Sequence, residues 1–228
     1  VKILKSSGIN TISAERDTGF GAAVKEALQS SKLKTAPEDA TEWIWLIHDD
    51  CAPAANALNE LLAAVEERPS VAVVGPKLRG WHDRNHLLEV GVSIAGNGAR
   101  WTGLEYREQD QGQHDNVNEV LAVSTAGALI RRDVFEELGG FDPELTLFRD
   151  DVDFGWRVYT AGHSVIVSPQ AIAYHAEAAA NERRSVDVSG AFLHRPLLLD
   201  RRHAAYVLLA NATWWLLPVL ALQLLGAS

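Results

Sequence analysis

Cysteine and methionine are almost missing from this chain of 228 residues. The single cysteine, Cys51, excludes an internal disulfide framework and fits a reducing compartment. No Cys-His-Asn signature surrounds it, so we expect a small half-buried residue there and not a nucleophile. Methionine is absent even from position 1, and we therefore expect further residues upstream of Val1 in the natural protein.

A broad basic surface is also missing. The chain carries 21 Lys and Arg against 30 Asp and Glu, which gives a formal net charge of -9 at pH 7. Without a long run of Lys or Arg, a nucleic-acid groove is excluded and no nucleic-acid partner is expected. The length suffices to bury one sizeable core, and we predict an α/β domain over residues 1–200 followed by a tail over 201–228.

The most informative stretch is an apolar run that ends in acids. Residues 43–50, Trp-Ile-Trp-Leu-Ile-His-Asp-Asp, begin too apolar and too short for a helix and predict a buried central strand. Because ligands bind outside the carboxyl ends of strands in open α/β sheets, His48, Asp49 and Asp50 are expected at a crevice. Adjacent carboxylates repel unless a cation neutralises them, and their oxygens suit Mg²⁺ or Mn²⁺ on a diphosphate. An equally strong interpretation is that the two acids merely cap a helix that starts after Ala52-Pro53.

The remaining patterns alternate strands, helices and turns. Residues 71–76 predict a second buried strand and its turn, which completes a strand-helix-strand unit. The other predicted elements are helices over 22–29, 54–67 and 132–138, a hairpin within 87–105, a polar loop over 109–118 disposed over the site, and a strand over 120–125.

A second acidic cluster, Asp150-Asp151-Val152-Asp153, lies between Phe148 and Trp156. Carboxylates among aromatic residues are unfavourable unless they face a functional site. Alternatively they begin a helix, where the helix dipole favours each by up to ~1 kcal/mol. Asp150 and Asp151 cannot share one helical face, so at most one of them points at the chemistry. His175 ends a later apolar run and is either structural or a metal ligand.

These motifs follow one another in a specific order. They are Asp17-Thr18-Gly19-Phe20-Gly21-Ala22-Ala23, Leu46-Ile47-His48-Asp49-Asp50, Gly139-Gly140-Phe141-Asp142 with Asp150-Asp151-Val152-Asp153, and His175. The ordered set, which extends over residues 11–175, resembles the glycosyltransferase family-two enzymes, nucleotide-sugar-dependent transferases with the GT-A fold. The resemblance implies an α/β fold, with a Rossmann-like mixed sheet flanked by helices. To this the chain adds an apolar helical tail at its C-terminus, predicted from its own residues.

The resemblance also implies roles for individual residues. Asp151 is the general base that deprotonates the acceptor hydroxyl, and one direct displacement inverts the sugar. The cofactor is a divalent cation, Mn²⁺ or Mg²⁺, which stabilises charge on the departing nucleoside diphosphate. His48 replaces the usual first acid, so either its imidazole substitutes as a ligand or fewer carboxylates hold the metal. The implied contacts are metal binding by His48, Asp50 and His175, nucleotide binding by Asp17, Gly19 and Asp49, and acceptor binding by Gly127, Asp150, Trp156 and Arg157.

The C-terminal stretch over 204–227 contains no charged residue. Its length of about 24 residues exceeds the ~20 that span a bilayer, while Trp214-Trp215 also fit an interfacial helix. A buried core helix is the remaining alternative. We predict membrane contact with the preceding basic residues on the cytoplasmic side, namely Arg183, Arg184, Arg195, Arg201 and Arg202.

The resulting hypothesis is an inverting, metal-dependent glycosyltransferase at the cytoplasmic face of the membrane. Its partners would be a nucleoside-diphosphate sugar and a glycan or lipid-linked acceptor of the cell envelope. One alternative is a catalytically silent GT-A-like domain that binds glycan or docks a partner, which His48 and the short N-terminus favour. A further alternative is a nucleotidyltransferase, although the glycine-rich basic loop expected near its start is not visible.

Overall fold

The computed structural model describes residues 9–15, 18–30, 37, 40–116, 118–177 and 196–226. Short strands alternate with helices along these residues, and two long strands, β3 and β9, dominate the structure. The helices are α1 (Phe20–Ser30), α2 (Ala57–Val65), α3 (Arg132–Glu137), α4 (Asp150–Thr160), α5 (Pro196–Asn211) and α6 (Leu217–Gly226), with a 3-10 turn at Trp214–Leu216. The strands are β1 (Trp43–Trp45), β2 (Cys51–Pro53), β3 (Val71–Gly80), β4 (Leu87–Glu89), β5 (Ser93–Ile94), β6 (Arg100–Trp101), β7 (Asn118–Glu119), β8 (Leu129–Arg131) and β9 (Ser164–His175).

The strands form one mixed sheet in the order β1-β8-β3-β9-β2, with β4 beside β3 and β7 beside β9. β3 is parallel to β9 and antiparallel to β8, and β8 is antiparallel to β1. The strands β1 and β3 therefore run in the same direction on either side of β8, as the strand-helix-strand prediction requires. The predicted mixed α/β sheet flanked by helices is confirmed.

Apolar side chains cover both faces of this sheet. Successive side chains of a strand point to opposite faces, so Val73 and Val74 of β3 join different clusters. Val73 packs with Phe135, Phe141 and other residues on one face. Val74 packs with α2 on the other face. Burial of β3 on both sides explains why its sequence is a continuous apolar run instead of an alternating one.

The prediction of a central strand over 43–50 is wrong in position and extent. Only Trp43–Trp45 is a strand, and among the described strands it pairs with β8 alone, at one end of the sheet. An apolar run indicates burial but carries no information on lateral order within a sheet. The predicted helix start directly after Pro53 is also wrong, because Cys51–Pro53 pairs with β9 and α2 begins at Ala57. Pro53 has no amide hydrogen to donate, but β2 is the strand at the other end of the sheet, and among the described strands only one of its sides has a neighbour.

Further predictions along the chain have mixed outcomes. The hairpin is confirmed by the β5–β6 pair, and the helix over 132–138 by α3, which ends at Glu137 and is followed two residues later by Gly139 with φ +77. The strand predicted over 120–125 is wrong. Among the described residues, this segment forms an isolated bridge between Ala122 and Val92, and the Val120 amide donates to the Val165 carbonyl at 2.9 Å, but no continuous strand results. Beyond Ala122, the Ser124 amide donates to the side-chain carboxylate of Glu89 and not to a neighbouring strand.

The loop predicted over 109–118 is confirmed for residues 109–116, whereas Asn118 belongs to β7, and ion pairs anchor the loop to β3. Lys77 is 1% exposed and donates to Asp110 at 3.0 Å and to Asp115 at 2.5 Å. Arg79 also donates to Asp110. A buried ammonium group needs such compensation, so these acids fix the loop against the end of β3.

The apolar C-terminal stretch folds as two helices. α5 buries Leu199, Ala204, Val207 and Leu208, so the core-helix alternative describes this part of the stretch. After α5, residues 212–213 separate it from the 3-10 turn and α6. Within the described residues, neither helix has both the length and the hydropathy needed to cross a bilayer. Large apolar side chains remain exposed beyond α5, including Trp214, Trp215 and Leu222.

Candidate active site

Three predicted metal ligands converge beside the paired strands β2 and β9. The register places Cys51 opposite His175, and the Ala176 amide donates to the Asp50 carbonyl at 3.0 Å. The Nε2 atom of His175 lies 3.1 Å from Oδ1 of Asp50. One ligand atom from each of His48, Asp50 and His175 lies within 4.8 Å of the other two. Tertiary structure thus joins residues 125 positions apart into one cluster, here called the His-Asp-His cluster.

His48 is held at the edge of this cluster by polar and aromatic contacts. Its Nε2 lies 3.0 Å from the Thr125 hydroxyl, and its ring meets that of Phe20 edge-on with centroids 5.2 Å apart. Burial lowers the pKa of His48, and the charge of His175 lowers it further, although nearby carboxylates oppose both effects. A neutral imidazole is the form that binds a metal.

Cys51 follows Asp50 and takes no part in the His-Asp-His cluster. Burial raises the pKa of its thiol to about 11, and the carboxylate of Asp50 contributes in the same direction. A thiol with such a pKa stays protonated at neutral pH and is a poor nucleophile. This agrees with the half-buried, unreactive cysteine expected from the sequence.

The second acidic cluster occupies the first turn of α4. The residues before it, Phe148 and Arg149, have φ values of 64 and 67, a left-handed conformation that side chains rarely adopt. Contacts to other elements hold this bend. The buried Arg149 guanidinium donates to Asp200 of α5 at 2.6 and 2.8 Å and to the Gly98 carbonyl at 3.0 Å. The strained turn therefore presents the acids in a fixed direction.

Asp151 is tied to an arginine that the sequence analysis did not identify. Its Oδ2 lies 2.7 Å from Arg100 of β6, and its Oδ1 accepts the Val152 amide at 2.8 Å. Arg100 also donates to Oε2 of Glu89 at 2.7 Å. Burial raises the pKa of Glu89. Burial lowers the pKa of Arg100, but the charges of Asp151 and Glu89 outweigh this effect and raise the pKa of Arg100 overall. The available sequence signal was that Glu89 and Arg100 each lie beside apolar residues in the predicted hairpin.

Asp151 lies in the same region as the His-Asp-His cluster, because it lines one small cavity together with Thr125, whose hydroxyl contacts His48. The carboxylate of Asp50, followed by those of Asp151 and Asp49, opposes the lowering of the His48 pKa. A base and a metal site in one region suit a reaction in which a proton is removed while negative charge develops nearby.

Two residues predicted to bind the acceptor are occupied by structural contacts. Arg157 donates to Asp153 at 2.8 Å and to the carbonyls of Leu138 and Gly140 at 2.9 and 2.8 Å. Trp156 packs partly buried against an apolar cluster that includes Val152 and Val207. Arg157 thus fixes the Gly-Gly turn onto α4, and acceptor binding by these two side chains stays a prediction.

The predicted glycines are sites of close packing. A Cβ atom on Gly127 would lie 2.7 Å from Cγ of Pro76, and one on Gly19 would lie 2.9 Å from Cα of Thr146. Asp49 is exposed in the turn after β1. Asp17 lies outside the described residues, so nucleotide binding by Asp17, Gly19 and Asp49 stays a prediction.

Asp150 is buried beside Asp151, and its Oδ2 atom has no hydrogen-bond partner among the residues that the structure describes. Burial and the charge of Asp151 raise the pKa of Asp150 to about 7. An unfolded Asp has a pKa of about 4, so between about pH 4 and pH 7 the folded state holds a proton that the unfolded state has lost. The free energy of unfolding should therefore fall as pH rises through this window.

Replacing Asp150 by asparagine should remove this penalty. We expect the free energy of unfolding to rise by about 2 kcal/mol at pH 8 and to change little at pH 4, where the native carboxyl is already neutral. Urea denaturation of both proteins at the two pH values measures the difference. An equal change at both values would contradict a buried titrating carboxyl. Acceptor binding by Asp150 stays a prediction, although its buried carboxyl offers little surface to a sugar.

Comparison with known proteins adds independent information. A family model described as glycosyltransferase like family 2 matches residues 3–187. The uncharacterized protein y4gI of Sinorhizobium fredii is 30% identical over 143 residues, which are 60% of this chain and 16% of that protein. The N-acetylglucosaminyl-diphospho-decaprenol L-rhamnosyltransferase of Mycobacterium tuberculosis is 24% identical over 218 residues, 88% of this chain and 67% of that protein. The chain thus spans only a small part of the first relative and about two thirds of the second.

One solved structure shares the fold. The crystal structure of GalNAc-T7 with UDP, GalNAc and Mn2+ matches 77% of this chain and 34% of its own, with a TM-score of 0.56 at 16% sequence identity. At this level of identity the likeness extends to the mixed sheet and its helices, and not to individual side chains.

Proposed function

Because the chain belongs to glycosyltransferase like family 2 and has the GT-A fold, we propose that it is an inverting, metal-dependent glycosyltransferase. It transfers a sugar from a nucleoside diphosphate to a hydroxyl group of a cell-envelope glycan or glycolipid. The observation that carries this proposal is the His-Asp-His cluster, which lies in the same region as the buried carboxylate of Asp151.

The donor atoms of the cluster fit a divalent cation. Two imidazoles and one carboxylate lie within 4.8 Å of one another, and burial favours the neutral, metal-binding form of His48. Imidazole nitrogen suits transition metals better than it suits Mg²⁺, so this set favours Mn²⁺ over Mg²⁺. When bound, the cation supplies positive charge to the departing nucleoside diphosphate. His48 then takes the place of the usual first acid, which weakens the case for a silent domain.

The side chains of this chain would divide the remaining work. Asp151 accepts the proton of the acceptor hydroxyl as that oxygen attacks the anomeric carbon. The bond to the diphosphate breaks in the same step, so the configuration at that carbon inverts. The exposed Asp49 and the close-packed backbone at Gly19 are the proposed nucleotide contacts. Asp17 belongs to the same proposed set, and Gly127, Asp150, Trp156 and Arg157 to the acceptor set.

The mycobacterial relative suggests the class of acceptor. Its name describes transfer of L-rhamnose to a sugar carried on a polyprenyl diphosphate. We extend this to a lipid-linked acceptor here, with the domain docked at the cytoplasmic face of the membrane. Trp214 is 76% exposed, Trp215 61% and Leu222 71%, and Trp residues prefer the interface between lipid and water.

Replacing both Trp214 and Trp215 by serine should weaken membrane binding about tenfold, because the interfacial anchors are lost. Co-sedimentation with phosphatidylglycerol and phosphatidylethanolamine vesicles measures the effect. Tyr106→Ser is the matched control, since Tyr106 is 94% exposed but belongs to the segment after β6. Equal binding by all three proteins would contradict interfacial docking through this segment.

Calorimetric titration with UDP, GDP and dTDP, each with and without Mn²⁺, tests the proposed activity. We expect one nucleotide to bind and to require the cation. If a folded protein that includes any upstream residues binds none of them, the proposed activity is wrong and a silent docking domain becomes the better explanation.

A further inference from the structure

The proposed base, Asp151, belongs to a group of three charged side chains that come from three separate elements. Arg100 of β6 lies 2.7 Å from both Glu89 of β4 and Asp151 of α4. The side chains are 28%, 11% and 7% exposed, respectively, so solvent screens them little. We call these residues the Glu-Arg-Asp triad.

Each acid of the triad is also fixed by the backbone. Oε1 of Glu89 accepts the Ser124 amide at 2.8 Å, and Oδ1 of Asp151 accepts the Val152 amide at 2.8 Å. Both oxygens of each acid thus accept hydrogen bonds, as an ionised carboxylate does. The triad then carries one positive and two negative charges, and the arginine is shared between its two partners.

This sharing has a chemical consequence for a general base. An arginine paired with one carboxylate stabilises its ionised form strongly and makes it a weaker proton acceptor. A second carboxylate on the same arginine offsets part of that effect. General bases work best when their proton affinity matches the working pH, so the balance between the two partners matters.

We propose that Arg100 and Glu89 are positioning residues for the transfer reaction. Arg100 holds the Asp151 carboxylate in position for the acceptor hydroxyl, and Glu89 holds Arg100 and shares its positive charge. This rests on the proposed function, because it requires Asp151 to act as the base.

The other charged groups around Asp151 define what must stay constant in a test. Asp150 is its neighbour on α4 and interacts with it electrostatically. His48, in the loop after β1, faces it from the His-Asp-His cluster. Substitutions of Glu89 and Arg100 leave both groups in place, so opposite changes in the triad charge can be compared against a constant background.

Two substitutions change that charge in opposite directions. Glu89→Gln leaves Arg100 to Asp151 alone, so the acidic limb of the pH profile of kcat should move down by about one pH unit. Arg100→Gln removes the cation, so the same limb should move up by about one pH unit. Both variants should lower kcat by about 10- to 100-fold at neutral pH and leave the donor KM within about threefold.

Arg100→Lys separates charge from geometry. A single nitrogen of Arg100, Nη2, contacts both acids. Lysine keeps the positive charge, but its ammonium group ends one bond short of the Nη2 position, so the limb should return to its wild-type pH while kcat stays about tenfold low. Activity is followed with the L-rhamnosyl diphosphate of whichever nucleoside binds in the titration and a GlcNAc-diphospho-polyprenol acceptor. Thermal melting of each variant shows whether it is folded. If Arg100→Gln does not fold, the test relies on Glu89→Gln and Arg100→Lys.

The outcomes distinguish this inference from the proposed function. Wild-type protein that neither binds nucleotide nor transfers sugar would overturn both. A different result would overturn only the inference about the triad. In that result the wild type is active and Asp151→Asn is inactive, but the acidic limbs of the pH profiles of Glu89→Gln and Arg100→Gln stay in place or move in the same direction. Limbs that move apart, with recovery in Arg100→Lys, support it.

Discussion

Replacing Asp151 by asparagine should lower kcat by about 10³-fold and leave nucleotide affinity within about twofold of wild type. Asparagine has nearly the same shape but cannot accept the proton of the attacking hydroxyl. Nucleotide and cation contacts are assigned to other residues, so binding should persist. The measurement pairs initial rates at saturating donor with calorimetric titration of the nucleotide and Mn²⁺.

A matched control separates loss of the base from loss of an ion pair at a helix start. Asp133 also lies in the first turn of a helix, α3, and also pairs with an arginine, Arg131, at 2.8 Å. Its side chain is 66% exposed, whereas that of Asp151 is 7% exposed. Asp133→Asn should retain full activity. Near-normal turnover in Asp151→Asn would show that another group accepts the proton.

Asp50→Ala should weaken Mn²⁺-dependent nucleotide binding by about 100-fold. The substitution removes the one carboxylate of the His-Asp-His cluster and leaves two imidazoles, which hold Mn²⁺ less tightly than a set that includes a carboxylate. A second ligand change, His48→Ala, should have a smaller effect of about tenfold, because the carboxylate remains. Titration of nucleotide against a fixed Mn²⁺ concentration measures affinity, and the electron paramagnetic resonance of Mn²⁺ reports the bound cation directly.

Asp83→Ala is the control for nonspecific loss of an acid. Asp83 is exposed in the turn after β3 and outside the His-Asp-His cluster. It should bind nucleotide and cation as the wild type does. If Asp50→Ala keeps the wild-type dependence on Mn²⁺, the cation does not use this cluster. If Asp50→Ala loses nucleotide binding and also shows no cooperative thermal unfolding, the variant is not folded, and Asp50→Asn provides the same comparison with less structural change.

Local features of the fold were predictable because short-range physics decides them. The uninterrupted apolar run at 71–74 identified a strand buried on both faces, and it lies at the start of β3. The glycines after α3 identified a helix end, and Gly139 has the positive φ that such an end requires. The turn between β5 and β6 was equally visible from its glycines. Each depends on residues close together in the chain.

The lateral order of the strands was not predictable from these patterns. The aromatic run at 43–47 indicated burial and was interpreted as the sheet centre, yet β3 occupies that place among the described strands. Residues 51–53 favoured a helix start by their sequence but pair with β9. Strand pairing over more than 100 residues of chain depends on how all elements fit together, and periodicity carries no record of it.

The candidate site shows the same division. The sequence by itself determined which residues have metal-binding or proton-accepting groups, and the order of its motifs gave His48, Asp50, Asp151 and His175 as candidates. Only the tertiary structure brought His48, Asp50 and His175 within 4.8 Å, and only it placed Arg100 against Asp151. A side chain's chemistry is local to its residue, whereas its partners and burial arise from the packing of distant segments. Glu89 and Arg100 were not predicted for this reason: no residue near them in the chain indicates that Arg100 contacts Asp151 in the folded protein.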